Sequence, residues 1–336
     1  MIDRLERVPL ADLPTPLQAA PRLGEALGLR ELLVKRDDMT GLGMGGNKAR
    51  KLEYDLVEAV RGGCDTLMTV GGPQSNHARI TAAAARRLGM DCKLVLGGPD
   101  FRQVQGNLLL DALLGAEIRF LVDEEDNDAL ESAMAAWAGE LRAEGRRPYT
   151  LPIGGSTGRG AAGYVRAMKE LSGQLGGRRA QVVLAVGSCG TFAGALLGAK
   201  LHMPGSRVIG ISVSRDSARI ARGAAALARE CAAILGTGVG VAEGEVESYD
   251  RYHEAYGVMT ASGKEAMTAA ARLEGLLLDP IYTGKAMAGL MDLARRKTLD
   301  PDLPTVFFHT GGQPILFSFE SELRGLSVCE KVPRRL

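Results

Sequence analysis

The sequence predicts an α/β fold in which helices cover both faces of largely parallel sheets. Short apolar runs alternate with amphipathic or alanine-rich segments along most of the 336-residue chain, and glycines stand at many of the junctions. Runs such as VVLAV at 182–186 are apolar without interruption, which is typical of strands buried on both faces of a sheet. A chain of this length accommodates about two domains of ordinary size, each with its own core.

The individual elements are placed by the runs that predict them. Apolar runs predict strands at 65–70, 93–96, 117–121, 181–186, 208–213 and 305–309. The segments between them predict helices at 75–88, 127–144, 191–202, 214–235 and 283–296. A further helical segment at 47–60 follows a glycine-rich loop, and the stretch 237–250 (TGVGVAEGEVESYD) is predicted to be a loop.

Charge and hydropathy argue against two kinds of partner. The formal net charge of +1 gives no electrostatic reason to expect nucleic acid or a membrane surface. No stretch approaches the roughly 18 apolar residues that a membrane span needs. The charged, proline-punctuated start of the chain is unlike a signal peptide.

Cysteine and histidine usage indicates neither disulfides nor a metal site. The cysteines are odd in number and scattered, without a CxxC pair, so we expect reduced thiols in a cytoplasmic protein. They are Cys64, Cys92, Cys189, Cys231 and Cys329. The four histidines show no ligand spacing, and no metal site is predicted.

The segment 35–51 (KRDDMTGLGMGGNKARK) combines a glycine-rich loop with a lysine at the start of a helix. The glycines at 43, 45 and 46 permit backbone conformations and close approaches that a side chain would block. Such a loop can hold Lys48 against a cleft, where desolvation promotes the deprotonated amine that reacts with an aldehyde. The alternative is an ordinary helix start with a solvated lysine.

The segment 70–79 (VGGPQSNHAR) ends a strand with a Gly-Gly-Pro turn and opens a helix with Ser75 and Asn76. Both residue types are good N-caps, and capping is one interpretation. Free backbone N–H groups at this helix start, near Ser75, Asn76 and His77, would also bind an anion such as a substrate carboxylate. In that case the Ser75 hydroxyl would lie beside the substrate.

The segment 182–194 (VVLAVGSCGTFAG) has the composition of a phosphate-binding turn. A buried strand runs into Ser188, Cys189, Gly190 and Thr191, and a helix follows. Small residues let backbone N–H groups converge, the helix dipole favours a dianion, and two hydroxyls add donors. The turn lacks the lysine of a P-loop and does not match G-x-G-x-x-G, which argues against nucleoside triphosphates and dinucleotides. We interpret Cys189 as a small residue in a cramped loop rather than as a nucleophile.

Two more segments place polar side chains beside glycine-containing turns. Tyr282 in 278–289 (LDPIYTGKAMAG) precedes a helix, and Thr310 in 307–314 (FFHTGGQP) directly follows a strand end. The carboxyl ends of strands in open α/β sheets are where ligands collect. The alternatives are a half-buried aromatic with a satisfied hydroxyl for Tyr282 and a turn residue for Thr310.

Taken together and in this order, the segments GGNKARK, GGPQSNHAR, GSCGTFAG, DPIYTGKAMAG and HTGGQP resemble the D-cysteine desulfhydrase and 1-aminocyclopropane-1-carboxylate (ACC) deaminase family. That family belongs to the tryptophan-synthase-β-like enzymes that use pyridoxal 5′-phosphate (PLP). The resemblance extends from about residue 5 to about residue 319. It implies a two-domain tryptophan-synthase-β-like fold with parallel-rich sheets covered by helices, and PLP as the cofactor.

The resemblance also implies roles for individual residues. Lys48 would form the Schiff base with the cofactor. The phosphate would be held by Lys51 and by the turn Ser188, Cys189, Gly190 and Thr191. Asn76 would face the 3′-oxygen of PLP, and Thr310 the pyridine nitrogen. The substrate would be surrounded by Ser75, Asn76, His77, Tyr256, Tyr282 and Thr283, and the catalytic residues would be Lys48, Ser75, Tyr256 and Tyr282.

The same resemblance implies an arrangement of domains and subunits. A larger cofactor-binding domain would comprise residues 1–51 and 161–336, and a smaller α/β domain at 52–160 would be inserted into it. PLP would lie in the cleft, the assembly would be a homodimer, and the substrate would be a small amino acid.

Two threonines favour a desulfhydrase within this family. ACC deaminases characteristically have Glu at the position of Thr283 and Leu at that of Thr310, and a threonine supplies no charge to keep the pyridine nitrogen protonated. A weaker electron sink suffices when sulfur leaves from Cβ, so the resemblance implies conversion of D-cysteine to pyruvate, sulfide and ammonia. Met259 and Phe192 depart from the family pattern. (R)-Cysteate sulfo-lyase and ACC deaminase stay open as alternatives.

Two questions about mechanism stay open at this level. The base that removes the Cα proton is either Lys48 or Ser75, and Tyr282 is the first choice as donor to the leaving group. A non-catalytic PLP-binding protein would keep Lys48 and the phosphate turn, but it would have no need of Ser75 and Tyr282 together.

Overall fold

The computed structural model describes residues 1–98 and 103–326, which form two sheets flanked by helices. Its strands are β1 (Leu17–Ala19), β2 (Leu32–Lys35), β3 (Thr66–Gly71), β4 (Asp91–Gly98), β5 (Glu117–Val122), β6 (Pro148–Thr150), β7 (Gln181–Val186), β8 (Arg207–Ser212), β9 (Glu247–Tyr249) and β10 (Thr305–Phe308). Its α-helices are α1 (Pro21–Leu27), α2 (Asn47–Asp55), α3 (Val57–Arg61), α4 (Asn76–Arg87), α5 (Gly106–Leu113), α6 (Asn127–Ala143), α7 (Gly158–Gln174), α8 (Gly190–His202), α9 (Ser217–Leu235), α10 (Ala261–Glu274), α11 (Thr283–Arg295) and α12 (Glu320–Leu323).

Both sheets are built mainly from parallel strands. The first has the strand order β1-β2-β10-β7-β8-β9, and the second has the order β5-β4-β3-β6. Neighbouring strands are parallel in both sheets except for β1 and β2. All residues of β3 and of β7 are buried, as expected for central strands covered on both faces. The predicted α/β class with parallel-rich sheets is confirmed.

Apolar layers on both faces of each sheet hold the helices in place. On the first sheet, one layer contains Phe192 of α8 and the opposite layer contains Leu290 of α11. On the second sheet, one layer contains Ile80 of α4 and the other contains Trp137 of α6. The helices therefore fix the turns that follow the carboxyl ends of the strands.

The predicted elements agree with the observed ones to within a few residues, with two differences. The stretch 237–250 is not entirely a loop, because β9 lies within it and pairs with β8. The helical segment 47–60 is divided into α2 and α3 at Leu56, whose ψ of −1° (φ −85°) departs from the regular helix while staying in the right-handed helical region.

The division into two domains stays a prediction. The strands of the second sheet all fall within the range 52–160 that is predicted to form the smaller domain. The predicted boundaries themselves fall inside α2 and α7.

Cys64, Cys92, Cys189 and Cys231 are free thiols, and Cys329 lies outside the described residues. Among residues 1–98 and 103–326, no helix is long and apolar enough to cross a membrane. The same residues contain no cluster of three or more His, Cys, Asp or Glu side chains suited to a metal ion.

Candidate active site

A cavity of about 770 Å³ lies where turns from both sheets meet. Its walls come from the segments after the carboxyl ends of β3, β7, β8 and β10, together with the start of α2. The predicted site residues that line it are Lys48, Ser75, Asn76, His77, Ser188, Cys189, Gly190, Thr191, Tyr256, Tyr282 and Thr310. Strand ends of this kind are the usual ligand sites of parallel sheets.

Lys48 and Lys51, on the first turn and a half of α2, point to the same backbone carbonyl. The Nζ atom of each lies 2.8 Å from the carbonyl oxygen of Gly154. Burial lowers the pKa of Lys48 well below its usual value, and the neighbouring Lys51 lowers it further. Burial lowers the pKa of Lys51 to about 8, opposed by the carboxylate of Asp55. Burial therefore favours the uncharged form of Lys48, which is the form that attacks an aldehyde.

A buried ionic network holds α2 in position. Arg50 donates through Nε and Nη2 to both carboxylate oxygens of Asp37, each at 2.9 Å. Its Nη1 and Nη2 also reach both carboxylate oxygens of Glu170 in α7, at 3.0 and 2.9 Å. The lysine face of α2 is thus fixed by contacts on its opposite side. The sequence pattern carried no signal for this network, since the three residues are far apart along the chain.

The turn after β7 has the shape of an anion cradle. Cys189 adopts left-handed backbone geometry (φ 69°), and α8 begins directly after it. A Cβ atom on Gly190 would lie 2.7 Å from Lys51 Nζ, so that amine reaches the mouth of the turn. Asn47 donates through Nδ2 to Thr191 Oγ1 at 2.8 Å, which ties the turn to α2. The N-terminus of α8 and the Lys51 amine therefore lie together, as a phosphate site requires.

The Cys189 side chain packs away from this convergence. Its Sγ lies 3.9 Å from the carbonyl oxygen of Ile220 in α9, and burial raises the pKa of the thiol. This placement supports the interpretation of Cys189 as a small residue in a cramped loop.

The start of α4 forms a second polar wall. Ser75 Oγ accepts a hydrogen bond from the Ala78 N–H at 3.2 Å, so Ser75 caps the helix. The Asn76 side chain accepts a hydrogen bond from Asn107 at 2.8 Å. Burial, together with the charges of the neighbouring lysines, lowers the pKa of His77 well below its usual value, so its ring is neutral. The first N–H groups of α4 have no partner within the helix and suit an anion.

Tyr256 and Tyr282 meet at the cavity wall. Their hydroxyl oxygens are 2.7 Å apart, and the rings form an edge-to-face pair. The Tyr256 residue as a whole is 53% exposed, but its hydroxyl end is enclosed, and this burial raises its pKa. Burial raises the pKa of Tyr282 well above its usual value, and the neighbouring Tyr256 adds to the effect. Both hydroxyls therefore stay protonated at neutral pH.

Thr310 connects the end of β10 to the lysine helix. Its carbonyl oxygen accepts a hydrogen bond from the Asn47 N–H at 3.0 Å, and the residue lines the cavity. A Cβ on Gly46 would lie 3.2 Å from the same carbonyl oxygen, so glycine permits the close approach.

Comparison with known proteins identifies the family. Residues 8–311 match the model of the pyridoxal-phosphate-dependent enzymes. The chain belongs to this family of PLP-dependent enzymes. It is 42% identical to a protein of Pyrococcus abyssi (strain GE5 / Orsay) provisionally named 1-aminocyclopropane-1-carboxylate deaminase, over 98% of both chains. It is also 42% identical to the D-cysteine desulfhydrase of Salmonella paratyphi B (strain ATCC BAA-1250 / SPB7), over 95% of this chain and 97% of the relative.

A solved structure confirms the tryptophan-synthase-β-like fold. The crystal structure of an ACC deaminase homologue superimposes with a TM-score of 0.90 at 39% identity, covering 97% of this chain and 98% of the other. PLP-dependent lyases of this kind are therefore the relatives of the chain in both sequence and fold.

The cavity residues of this PLP-dependent enzyme fit the cofactor. The cradle after β7, with Lys51 at its mouth, suits a phosphate dianion. The Lys48 amine, whose pKa burial lowers, suits the aldehyde. Asn76 and Thr310 supply uncharged polar groups on other parts of the wall.

Thr283 is not brought to the cavity. Its side chain is fully buried at the start of α11, where its hydroxyl donates to Asp279 Oδ2 at 2.6 Å and accepts from the Asp279 N–H at 2.8 Å. The substrate-binding role predicted for Thr283 therefore finds no support in its position, because the hydroxyl closes a turn within its own segment. The predicted contrast between Thr283 and the glutamate of ACC deaminases therefore has no counterpart in the cavity wall, whereas Thr310 does line the cavity.

Two arginines on the cavity wall were not among the site residues predicted from the sequence. Arg215 follows β8 and Arg219 lies in the first turn of α9, and both line the cavity. Within the described lining residues the single carboxylate is Glu125. The wall therefore favours anions, and the position of Arg215 just after a strand neighbouring β7 was the signal that could have found it.

Proposed function

We propose that this chain is a lyase that eliminates the β-substituent of a small sulfur amino acid, and that D-cysteine is converted to pyruvate, sulfide and ammonia. One observation carries the proposal. Lys48, whose pKa burial lowers, and the protonated pair Tyr256 and Tyr282 line one cavity beside a phosphate cradle. The Salmonella relatives bear the name of this reaction.

Lys48 would hold PLP covalently, while Lys51 and the turn 188–191 would hold its phosphate. PLP, when bound, draws electrons from Cα of the substrate and so weakens the Cα–H bond. The substrate carboxylate would bind the first N–H groups of α4, near Asn76 and His77. Lys48 and Ser75 both line the cavity and are the two candidate bases for the Cα proton.

Tyr282 would donate a proton to the departing sulfur. Its raised pKa keeps the hydroxyl protonated, which suits an acid and not a base. Tyr256 holds this hydroxyl through the 2.7 Å hydrogen bond and would orient it.

ACC deamination is the second candidate, because both the Pyrococcus relative and the solved homologue carry that name. The charge of the described cavity wall argues for the sulfur substrate. Thr310 is uncharged, as is the leucine at this position in ACC deaminases, but the wall also offers no carboxylate other than Glu125, which precedes α6. The site therefore provides little to keep a pyridine nitrogen protonated, and it suits a good leaving group. (R)-Cysteate, with a sulfonate leaving group, would also be favoured by the arginines.

The first test concerns the cofactor. The purified protein should be yellow, with absorption near ~420 nm that changes on addition of an amino acid. Borohydride reduction and peptide mapping should place the pyridoxyl group on Lys48. A label on Lys51 or Lys35 would contradict the assignment of Lys48.

The second test concerns the substrate. D-Cysteine, L-cysteine, L-cysteate, β-chloro-D-alanine and ACC are compared at equal concentration by measuring pyruvate and 2-oxobutanoate. We expect pyruvate from D-cysteine or a close sulfur analogue, and little 2-oxobutanoate from ACC. Robust turnover of ACC together with inactivity toward every sulfur substrate would show that the chain is a deaminase instead.

We also propose that the enzyme is a cytoplasmic homodimer. The free thiols at Cys64, Cys92, Cys189 and Cys231 support a reducing compartment. The dimer is supported by the family resemblance alone. Light scattering after size exclusion should give twice the mass of the chain.

A further inference from the structure

The side chain of Asn76 is held by a relay of hydrogen bonds that starts at Arg79, which is fully buried. Arg79 Nε donates to Asn107 Oδ1 at 2.9 Å. Asn107 Nδ2 donates to Asn76 Oδ1 at 2.8 Å and to the backbone carbonyl of Gln74 at 2.9 Å. Arg79 Nη2 also reaches Asn76 Oδ1, at 3.3 Å. In the described residues, every hydrogen bond of the Asn76 side chain is accepted by Oδ1.

The donors and acceptors around the two amide side chains, Asn107 and Asn76, are compatible with only one orientation of each. An arginine has no acceptor, so Asn107 must present Oδ1 to Arg79. Burial lowers the pKa of Arg79 to about 10, and it therefore stays charged at neutral pH. The NH₂ group of Asn107 then faces Asn76 and the Gln74 carbonyl, which can only accept. Asn76 must turn its oxygen to the relay, and its own NH₂ group is left for the cavity that it lines.

We propose that Arg79 and Asn107 are positioning residues that keep the NH₂ group of Asn76 turned into the cavity as a hydrogen-bond donor. The inference rests on the proposed function, in which Asn76 faces the 3′-oxygen of PLP. A donor at that place stabilises the oxygen in its anionic form, whereas the amide oxygen would repel it.

The same guanidinium also fixes the loop that presents Lys48. Arg79 Nη1 donates to the carbonyl oxygen of Gly45 at 3.0 Å and to that of Gly43. The buried guanidinium of Arg79 therefore fixes both the orientation of the Asn76 amide and the position of the loop that leads into α2.

The pH titration of the visible absorption band of the PLP-loaded enzyme tests the relay, because a donor to the 3′-oxygen lowers the midpoint. N107D keeps the acceptor for Arg79 but removes the donor, so Asn76 should turn its NH₂ toward position 107 and its oxygen into the cavity. We expect the midpoint to rise by about one pH unit or more, the size of one charge-assisted hydrogen bond. N107A removes the amide without adding a charge or another donor, so Asn76 loses the group that holds its oxygen, and the midpoint should rise in the same direction.

A matched control and an epistasis test separate positioning from general damage. Asp111 lies one turn further along α5 and acts on Arg79 by charge, without a hydrogen bond. D111N should therefore leave the midpoint in place. N76A alone should raise it, and in the N76A background neither Asn107 variant should move it further, because the effect acts through Asn76. The other titratable groups around the site are unchanged in these variants: Lys48, Lys51, His77, Tyr256 and Tyr282.

Each outcome decides between the alternatives. An unmoved midpoint in N76A or in both Asn107 variants overturns the relay, as does a shift that persists in the N76A background. The proposed function is unaffected by either result if borohydride reduction still labels Lys48. A label elsewhere contradicts the role of Lys48, while a shift through Asn76 would still support the relay. If one Asn107 variant fails to fold by circular dichroism, the other variant and N76A give the answer.

Discussion

At the cavity wall, the hydroxyl groups of Tyr256 and Tyr282 share a hydrogen bond of 2.7 Å, and burial raises both pKa values. A phenol in such surroundings stays protonated at neutral pH, so it can donate a hydrogen bond or a proton to sulfur as the Cβ–S bond breaks. The two tyrosines are nevertheless not equivalent, because their shared hydrogen bond raises the pKa of Tyr282 and lowers that of Tyr256, while Asp279 raises both. Their different surroundings suggest different roles, with Tyr282 as the acid and Tyr256 as its support.

Replacing Tyr282 by phenylalanine should lower kcat for D-cysteine by about a hundredfold or more, because a general acid is lost. The Y256F control should cost only about tenfold, as expected for one lost hydrogen bond. β-Chloro-D-alanine releases chloride, which needs no proton, so Y282F should process it almost as fast as the wild type. Steady-state kinetics with both substrates measures this difference. Equal losses with both would exclude Tyr282 as the acid.

Single residues could be placed from the sequence where a turn at a strand end specifies their position. Ser75, Thr191 and Thr310 lie within five residues of the ends of β3, β7 and β10, and all three line the cavity. Thr283 could not be placed in this way, because the direction of its side chain depends on Asp279. Arg79 was hidden for a similar reason: its partner Asn107 lies on another helix.

At the scale of elements, α8 and the turn before it form one anion-binding unit. Gly190 begins the helix, and no room remains at its Cα for a side chain, since Lys51 Nζ and Ser156 Oγ would lie 2.7 and 3.2 Å from a Cβ. The atoms in the way are the ends of side chains and can move. A methyl group there would push the Lys51 amine from the cradle without disrupting the core.

G190A should therefore weaken PLP binding by about tenfold or more, the effect of one lost charge-assisted hydrogen bond. Binding of pyridoxal, which has no phosphate, should change little. The matched control is G173A in α7, where a Cβ would meet nothing within 4 Å. Fluorescence or absorbance titration of the apoenzyme measures both affinities. An equal loss for pyridoxal and PLP would mean that the cradle does not bind phosphate.

Elements were predictable to the extent that burial controls their composition. β7 is buried throughout and apolar after Gln181, and its bounds match the prediction at both ends. β9 has three residues, none of them fully buried, at the edge of the first sheet, so neither periodicity nor apolarity marked it. The boundary between α2 and α3 at Leu56 could not be predicted either, because neither glycine nor proline occurs there.

At the scale of the whole molecule, α2 connects the cavity to the core of the larger sheet. Arg50 binds Asp37, which follows β2, and Glu170 of α7, while Thr15 of the N-terminal segment donates to the same Asp37. Tyr164 of α7 completes the cluster by donating to Asp37 Oδ2 at 2.6 Å. The family fold could be recognised from ordered motifs, but this network joins segments that only tertiary structure brings together.

Replacing Arg50 by methionine should lower the free energy of unfolding by about 3–5 kcal/mol, because Asp37 would be left buried without its guanidinium partner. The side chain of Arg50 is 1% exposed. The matched control is R61M, since Arg61 is 58% exposed in its ion pair with Glu6, and such surface pairs contribute only about 0–1 kcal/mol. Urea unfolding of both apoproteins, followed by circular dichroism, gives the comparison. If R50M and R61M shift the midpoint equally, the network does not stabilise the fold, and the position of α2 must depend on apolar packing against α7.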